Sequence, residues 1–332
     1  MTIIAVICPG PPERTPSTYY RFGQYKDLWR EQGAELIFVP KQELKGGSLK
    51  LLHQADVIVN QKCLLPSRYF YLIRRLGKPL FFDLDDMIWH RAGKDYSFIT
   101  KLKIIRRISL WAKGVDKVMC ANTCIQEGFF EKTGVKALVV PMSLNMGEWS
   151  PARPSSNRLD DPSVHVGWTG SPEYHWLLRN IESAVKVAMA QSGNIRFSIH
   201  SGSDPGLNFD YEFVQWEKGG EADYVKSLDI GLLPMDEAST FSMGKSPIKG
   251  LQYLATGVVP LGNFIGASLD FLMPSNSIHI ANKLSSWSHS LLSATLDREL
   301  RFSKAMNGIE FAQKHHCRTI IGEHLLSILK SN

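Results

Sequence analysis

The 332-residue chain has no hydrophobic run long enough to cross a bilayer. Its longest apolar runs, such as Ile3–Cys8, fall far short of the roughly 20 residues that a spanning helix needs. No basic segment precedes the first apolar run, Met1-Thr2-Ile3-Ile4, which argues against a secretory leader. Cysteine is scarce. Cys8, Cys63, Cys120, Cys124 and Cys317 make an odd set of five, which argues against a disulfide framework. Cys120 and Cys124 are not a CxxC and have no second pair, so a closed four-ligand zinc site is not expected. These thiols suit a reduced, cytoplasmic protein. No GxGxxG follows Ile3–Cys8, which disfavours a nicotinamide dehydrogenase. No HExxH, no Gly-x-Ser-x-Gly elbow and no DNA-binding motif occurs either.

What is present is a globular composition, with 44% hydrophobic and 21% charged residues. Charge is uneven. Residues 1–155 hold 23 Lys+Arg against 14 Asp+Glu, a balance of +9, whereas residues 156–332 hold 15 against 18, a balance of −3. A basic half suggests an anionic partner such as a membrane surface, a phosphorylated substrate or a nucleic acid.

Strand and helix signals alternate twice along the chain. Short β-branched runs at Ile3–Cys8, Leu36–Val39, Val57–Val59, Leu80–Asp83 and Lys117–Ala121 predict strands. Between them Tyr20–Gln32, Ser48–Gln54, Pro66–Leu76 and Ser97–Lys113 predict helices. Pro141–Pro162 has linker chemistry and sets a boundary. The second half repeats the pattern, with strands at Val164–Trp168, Ile195–His200, Ile230–Leu233 and Val258–Leu261 and a helical tail. The expected class is α/β: two open parallel sheets facing each other across a cleft.

Ligands of such sheets bind beyond the carboxyl ends of the strands. Gly170-Ser171 follows a strand and precedes a helix, where free N–H groups attract phosphate. In Gly244-Lys245-Ser246-Pro247-Ile248-Lys249 two cations flank a helix start, against the dipole, either as solvated surface lysines or as partners of a diphosphate. Asp83, Asp85 and Asp86 follow an apolar strand and suit a hard cation, a helix cap or sugar hydroxyls. His90, His175 and His200 stand alone and read as structural. A wheel of Ser97–Lys113 puts Phe98, Leu102, Ile105, Ile108 and Trp111 on one side. Lys103, Arg106, Arg107 and Lys113 lie on the other, either as a solvated face or as a seat for an anionic membrane.

Four segments in order resemble the GT-B glycosyltransferases, specifically the family 4-like bacterial enzymes. They are PSTYYRFGQY (Pro16–Tyr25), FDLDDMIW, VGWTGSPEYHWLL (Val166–Leu178) and DIGLLPMDEASTFSMGKSPIKGLQYLATG (Asp229–Gly257). The resemblance implies two Rossmann-like domains: 1–155 on the acceptor side and 156–310 on the nucleotide-sugar side. A tail, 311–332, would cross back to the first domain. It implies Lys245, Lys249, Asp86 and His90 as catalytic residues, the two lysines stabilising a departing diphosphate. It implies Gly10, Gly170, Ser171, Gly202, Ser246 and Gln252 as donor contacts, and Arg21, Asp83 and Asp85 as acceptor contacts. No metal and no cofactor is implied; the nucleotide sugar is the substrate. One departure from the family is clear: Gly244 and Gln252 stand where many members carry two glutamates.

The expected activity is transfer of a sugar from a UDP- or GDP-linked donor to a glycan or lipid-linked acceptor, with retention, in polysaccharide biosynthesis. The expected location is cytoplasmic, peripheral at the inner membrane face through Lys103, Arg106 and Arg107. No nucleic-acid partner is expected. Alternatives are a non-catalytic protein that binds sugar nucleotides or glycans, and a nucleotide-sugar epimerase, for which the second half offers no evident acid/base pair of carboxylates.

Overall fold

The computed structural model describes residues 1–45, 49–91, 96–151 and 163–331. Ser48, Pro154, Ser155-Ser156-Asn157, Pro162 and the expected division at 155/156 lie outside them. The chain forms two compact units. The first comprises Met1–Leu144, Ser239–Ser246 and His316–Asn332; the second comprises Asn145–Ala238 and Pro247–His315.

The first unit is built on a parallel six-stranded sheet. Its strands are β1 (Thr2–Cys8), β2 (Ala34–Pro40), β3 (Val57–Gln61), β4 (Leu80–Leu84), β5 (Lys117–Cys120) and β6 (Leu138–Val139), in the order β2-β1-β3-β4-β5-β6. The register runs Thr2↔Ala34 to Cys8↔Pro40 on one side of β1 and Ile4↔Val57 to Ile7↔Asn60 on the other. Ile4 to Cys8 are fully buried, as a strand covered on both faces must be. Burial pushes the thiols of Cys8, Cys63 and Cys120 up to about 12, so they pack as small apolar groups.

The helix predicted over Tyr20–Gln32 is interrupted. Pro16–Arg21 and Lys26–Glu31 are helical, with a tighter turn at Gly23–Tyr25 between them. The chain packs closely at Gly23, where a Cβ would lie 2.7 Å from Pro12. Trp29 and Tyr25 stack at 5.3 Å and face the C-terminal helix Arg318–Lys330. Trp29 Nε1 donates to the Gly322 carbonyl at 2.9 Å, and a Cβ on Gly322 would come within 2.7 Å of the Tyr25 ring. Ile321, Leu325 and Leu329 of that helix share one core with Ile4 and Val6 of β1. The tail thus belongs to the first unit, as the resemblance implied. Backbone bonds Leu144 N to His316 O (2.9 Å) and Arg318 N to Leu144 O (2.8 Å) fasten its start.

The helix expected over Ser97–Lys113 runs Phe98–Gly114, with the Ser97 hydroxyl accepting from Thr100 N. The wheel expectation needs correction. Ile104, Ile108, Trp111 and Ala112 are buried, but Phe98, Ile99 and Leu102 are 76%, 65% and 55% exposed. A wheel gives direction around the axis but not where along it the packing lies, and here it begins only after the first turns.

The second unit holds the other parallel six-stranded sheet. Its strands are β7 (Val164–Thr169), β8 (Ile195–Ser201), β9 (Glu212–Gln215), β10 (Ile230–Leu233), β11 (Val259–Gly262) and β12 (His279–Ile280), in the order β12-β11-β10-β7-β8-β9. Helix His175–Ser192 packs on one core with Trp287 and Leu291 of Leu284–Leu296. No helix among the described residues is long and apolar enough to cross a membrane.

Candidate functional site

In the second unit the strand order turns between β10 and β7, since β7 leads outward to β8 and β10 leads the other way to β11. That switch point is where a doubly wound sheet opens to ligands. Thr169, Gly170 and Ser171 leave β7 there. Gly170 N donates to His200 O at 3.1 Å. The Ser201 hydroxyl gives its one proton to Gly170 O at 2.7 Å, so it accepts from His175 Nε2 at 2.8 Å. The turn is thereby fixed from β8 and from the helix that follows. A Cβ on Gly170 would overlap the Trp168 indole, which explains the glycine. Ser171 is exposed and opens the turn Pro172–Tyr174; Gly202 is exposed and accepts from Gln215 Nε2 at 3.2 Å.

Helix Ile248–Thr256 begins beside this turn. Lys249 is its second residue; Nζ donates to Thr169 O and lies 5.5 Å from the Trp168 ring centroid. Burial pushes the Glu221 carboxyl up, with the charge of Lys249 pulling the other way. His200 is held below its ordinary pKa, first by burial and then by Lys249, which favours the neutral ring. It stacks on Tyr224 at 4.7 Å and bonds Thr169 Oγ1 at 3.0 Å. The net result is a cation at a helix N-terminus, where the dipole already favours anions. Gln252, one turn on, is buried.

In the first unit the strand ends carry a charged cluster. Arg21 and Asp83 are 2% and 0% exposed and face each other, with Nε donating to Oδ2 at 2.9 Å and Nη2 to Oδ1 at 2.6 Å. Burial opposes the Arg21 charge, but Asp83 more than offsets that and holds the guanidinium protonated. Lys62 lies just beyond β3 at φ 44°, and its Nζ bridges Asp85 Oδ2 (2.9 Å) and Asp86 Oδ2 (2.7 Å). Burial raises the Asp85 carboxyl to about 6 from the ordinary 3.8, with Lys62 opposing. Its Oδ1 is buried and has no hydrogen-bond partner among the described residues.

The segment Ser239–Ser246 packs within this same unit. Ser246 Oγ donates to Asp85 O at 2.9 Å, Asn122 Nδ2 donates to Gly244 O at 3.1 Å, and Thr240 Oγ1 bonds His90 Nδ1 at 3.1 Å. A Cβ on Gly244 would overlap Met87, so packing requires the glycine that stands where relatives of the expected family carry glutamate. Gly10 closes β1 tightly, and a Cβ there would meet Thr15 Oγ1.

The structure therefore brings Gly170, Ser171, Lys249 and Gln252 to one part of the second unit. Asp85, Asp86, Ser246 and His90 fall in the first. Lys245 belongs to the first unit and Lys249 to the second, although four residues separate them. Lys62 was not anticipated from sequence. Its signal was present: β3 runs on through Asn60 and Gln61, both fully buried, so Lys62 is the first residue past a strand end.

No family model and no curated protein matches the chain. Solved structures do. Sucrose-phosphate synthase from Thermosynechococcus elongatus superposes with a TM-score of 0.70 at 12% identity, over 99% of this chain and 98% of that one. HepE from Anabaena, solved with UDP, gives 0.70 at 12% identity over the whole of both chains. WaaG, a glycosyltransferase involved in lipopolysaccharide biosynthesis, gives 0.67 at 14% identity, again over the whole of both chains. The fold is GT-B, as the sequence resemblance implied.

Proposed function

We propose that the chain is a glycosyltransferase that moves a sugar from a UDP- or GDP-linked donor to a glycan or lipid-linked acceptor. The observation that carries the reading is Lys249, placed in the first turn of Ile248–Thr256 against the Thr169-Gly170 turn. A structural neighbour adds support: HepE was solved with UDP and with UDP-glucose.

In this reading the bond from sugar C1 to the diphosphate oxygen breaks. Lys249 and the helix N-terminus stabilise the negative charge that develops on the leaving diphosphate. Lys245, in the first unit, is the second cation of the Gly244–Lys249 segment. The acceptor oxygen bonds to C1, and its proton passes to the leaving diphosphate on the same face, giving retention. Gly170, Ser171, Gly202 and Ser246 serve donor binding, as does Gly10, and Gln252 accepts from the ribose hydroxyls. Asp85 and Asp86, oriented by Lys62, hold acceptor hydroxyls, and His90, held by Thr240, stands in the same unit. Arg21 and Asp83 set the position of that cluster through their buried pair. The lysines do the charge work of a metal, so none is required.

The acceptor end works at an anionic membrane. Exposed Phe98, Ile99 and Leu102 adjoin exposed Lys101, Lys103 and Arg106 on one helix, which is the composition of an interfacial seat. Arg107 instead donates to Leu64 O at 3.1 Å.

The test is a thermal-shift panel of UDP, GDP and their sugars, each with magnesium or EDTA. A ligand at about 100 times its Kd stabilises by about 2.7 kcal/mol. A shift with one nucleotide family that EDTA leaves unchanged is the expected outcome. A shift without turnover on any acceptor would favour the non-catalytic reading that Gly244 and Gln252 suggest. No shift with any nucleotide overturns the donor assignment.

A further inference from the structure

A cavity of about 440 Å³ opens in the second unit. None of Thr169, Gly170, Lys249 and Gln252 lines it. Its walls come from the start of His175–Ser192, the loop after β10 and the residues after β11 and β12. Two indoles take part: Trp287 is buried at its base, and Trp176, 42% exposed, presents a large apolar ring at its edge.

The polar side chains around these indoles are three amides, Asn180, Asn263 and Asn282, two carboxylates, Asp236 and Glu237, and one cation, Lys283. The loop after β10 is already set. Asn263 Oδ1 accepts from Met235 N at 2.7 Å, while its Nδ2 donates to Met235 O at 2.9 Å and to Glu237 Oε1 at 2.8 Å. Asp236 Oδ1 accepts from Ala238 N at 3.2 Å. This loop need not be ordered by a ligand, so little binding energy is lost to ordering it.

We infer that this cavity binds one ring of a neutral saccharide. An exposed indole offers a flat apolar surface to the C–H face of a pyranose, and amides both donate and accept towards hydroxyls. Asp236 and Glu237 accept from hydroxyls and outnumber Lys283, so the lining favours a neutral ring over a phosphate. The inference stands on the cavity's own lining and does not depend on the donor assignment.

The experiment uses the full ¹⁵N-labelled chain and follows indole N–H resonances. Methyl glycosides of glucose, galactose, mannose and N-acetylglucosamine are titrated to about 50 mM, because a one-ring ligand is expected to bind with a Kd of about 1–10 mM. The Trp176 resonance, identified by its loss in Trp176→Phe, should shift saturably with at least one glycoside. Asn282→Ala, at an exposed position, should raise that Kd about three- to tenfold. Saturating UDP should leave the titration unchanged. The inference is overturned if no glycoside moves the Trp176 resonance, if Asn282→Ala leaves the Kd unchanged, or if UDP displaces the sugar. A sugar response without any response to UDP would sink the donor assignment alone.

Discussion

The two units treat charge in opposite ways. In the first, cations and carboxylates meet inside the protein: Arg21 with Asp83, and Lys62 with Asp85 and Asp86. In the second, Lys249 meets a carbonyl and an indole face, and burial pushes the Glu221 carboxyl within reach of its charge up, while His200 is held below its ordinary pKa, first by burial and then by Lys249. The first unit uses charge to fix its own strand ends. The second places a cation at a helix start, where the dipole already favours an anion.

Four measurements would break or sharpen that contrast. Asp83→Ala should be the most damaging, costing about 3–5 kcal/mol in urea unfolding because it leaves Arg21 buried without its carboxylate. UDP-induced stabilisation per folded molecule should survive; its loss would mean that the two units do not divide the work as described. Lys249→Ala should lower transfer by about 10²–10³-fold, the scale of losing one preorganised group that stabilises a developing anion, with little change in urea midpoint. Near-normal turnover would remove Lys249 from the mechanism.

The third measurement is a stability–pH profile. The Asp85 carboxyl sits at about 6 in the fold against an ordinary 3.8. Its protonated form is thus favoured by folding, and the stability it contributes is complete below the ordinary value and lost as pH rises through the folded one. The loss should be on the order of 3 kcal/mol. Asp85→Asn should flatten the profile between these two values; an unaltered slope assigns it to other groups. The smallest effect is at the surface. Lys103→Ala should weaken binding to anionic vesicles by about 1 kcal/mol and lose that difference at high salt. Equal binding by both proteins would return this helix to a solvated face.

Most strands were legible because buried parallel strands are continuous apolar runs, as Ile3–Cys8 and Ile195–His200 show. β6, β9 and β12 were not: Leu138–Val139 and His279–Ile280 are too short to carry a pattern, and the edge strand Glu212–Gln215 has only two apolar residues. Lys249 and Gly170 were legible from spacing at a helix start. Lys62 was hidden because buried Asn60 and Gln61 look like a loop until strand pairing places them. The membership of Ser239–Ser246 could not be read either. Its glycine at 244 looked like a lost glutamate, whereas its meaning is a contact with Met87, far away in sequence.

The return of the chain to the first unit has a consequence for biosynthesis. Trp29 and Tyr25 are made early, but the residues that complete their core, Ile321, Leu325 and Leu329, are made after everything in the second unit. A ribosome therefore releases the means to finish the second sheet before it releases the means to finish the first. Until residues 316–331 emerge, the surface around Trp29 stays open to solvent and to chaperones, and a message cut short near residue 315 would yield one complete unit joined to one with an uncovered core.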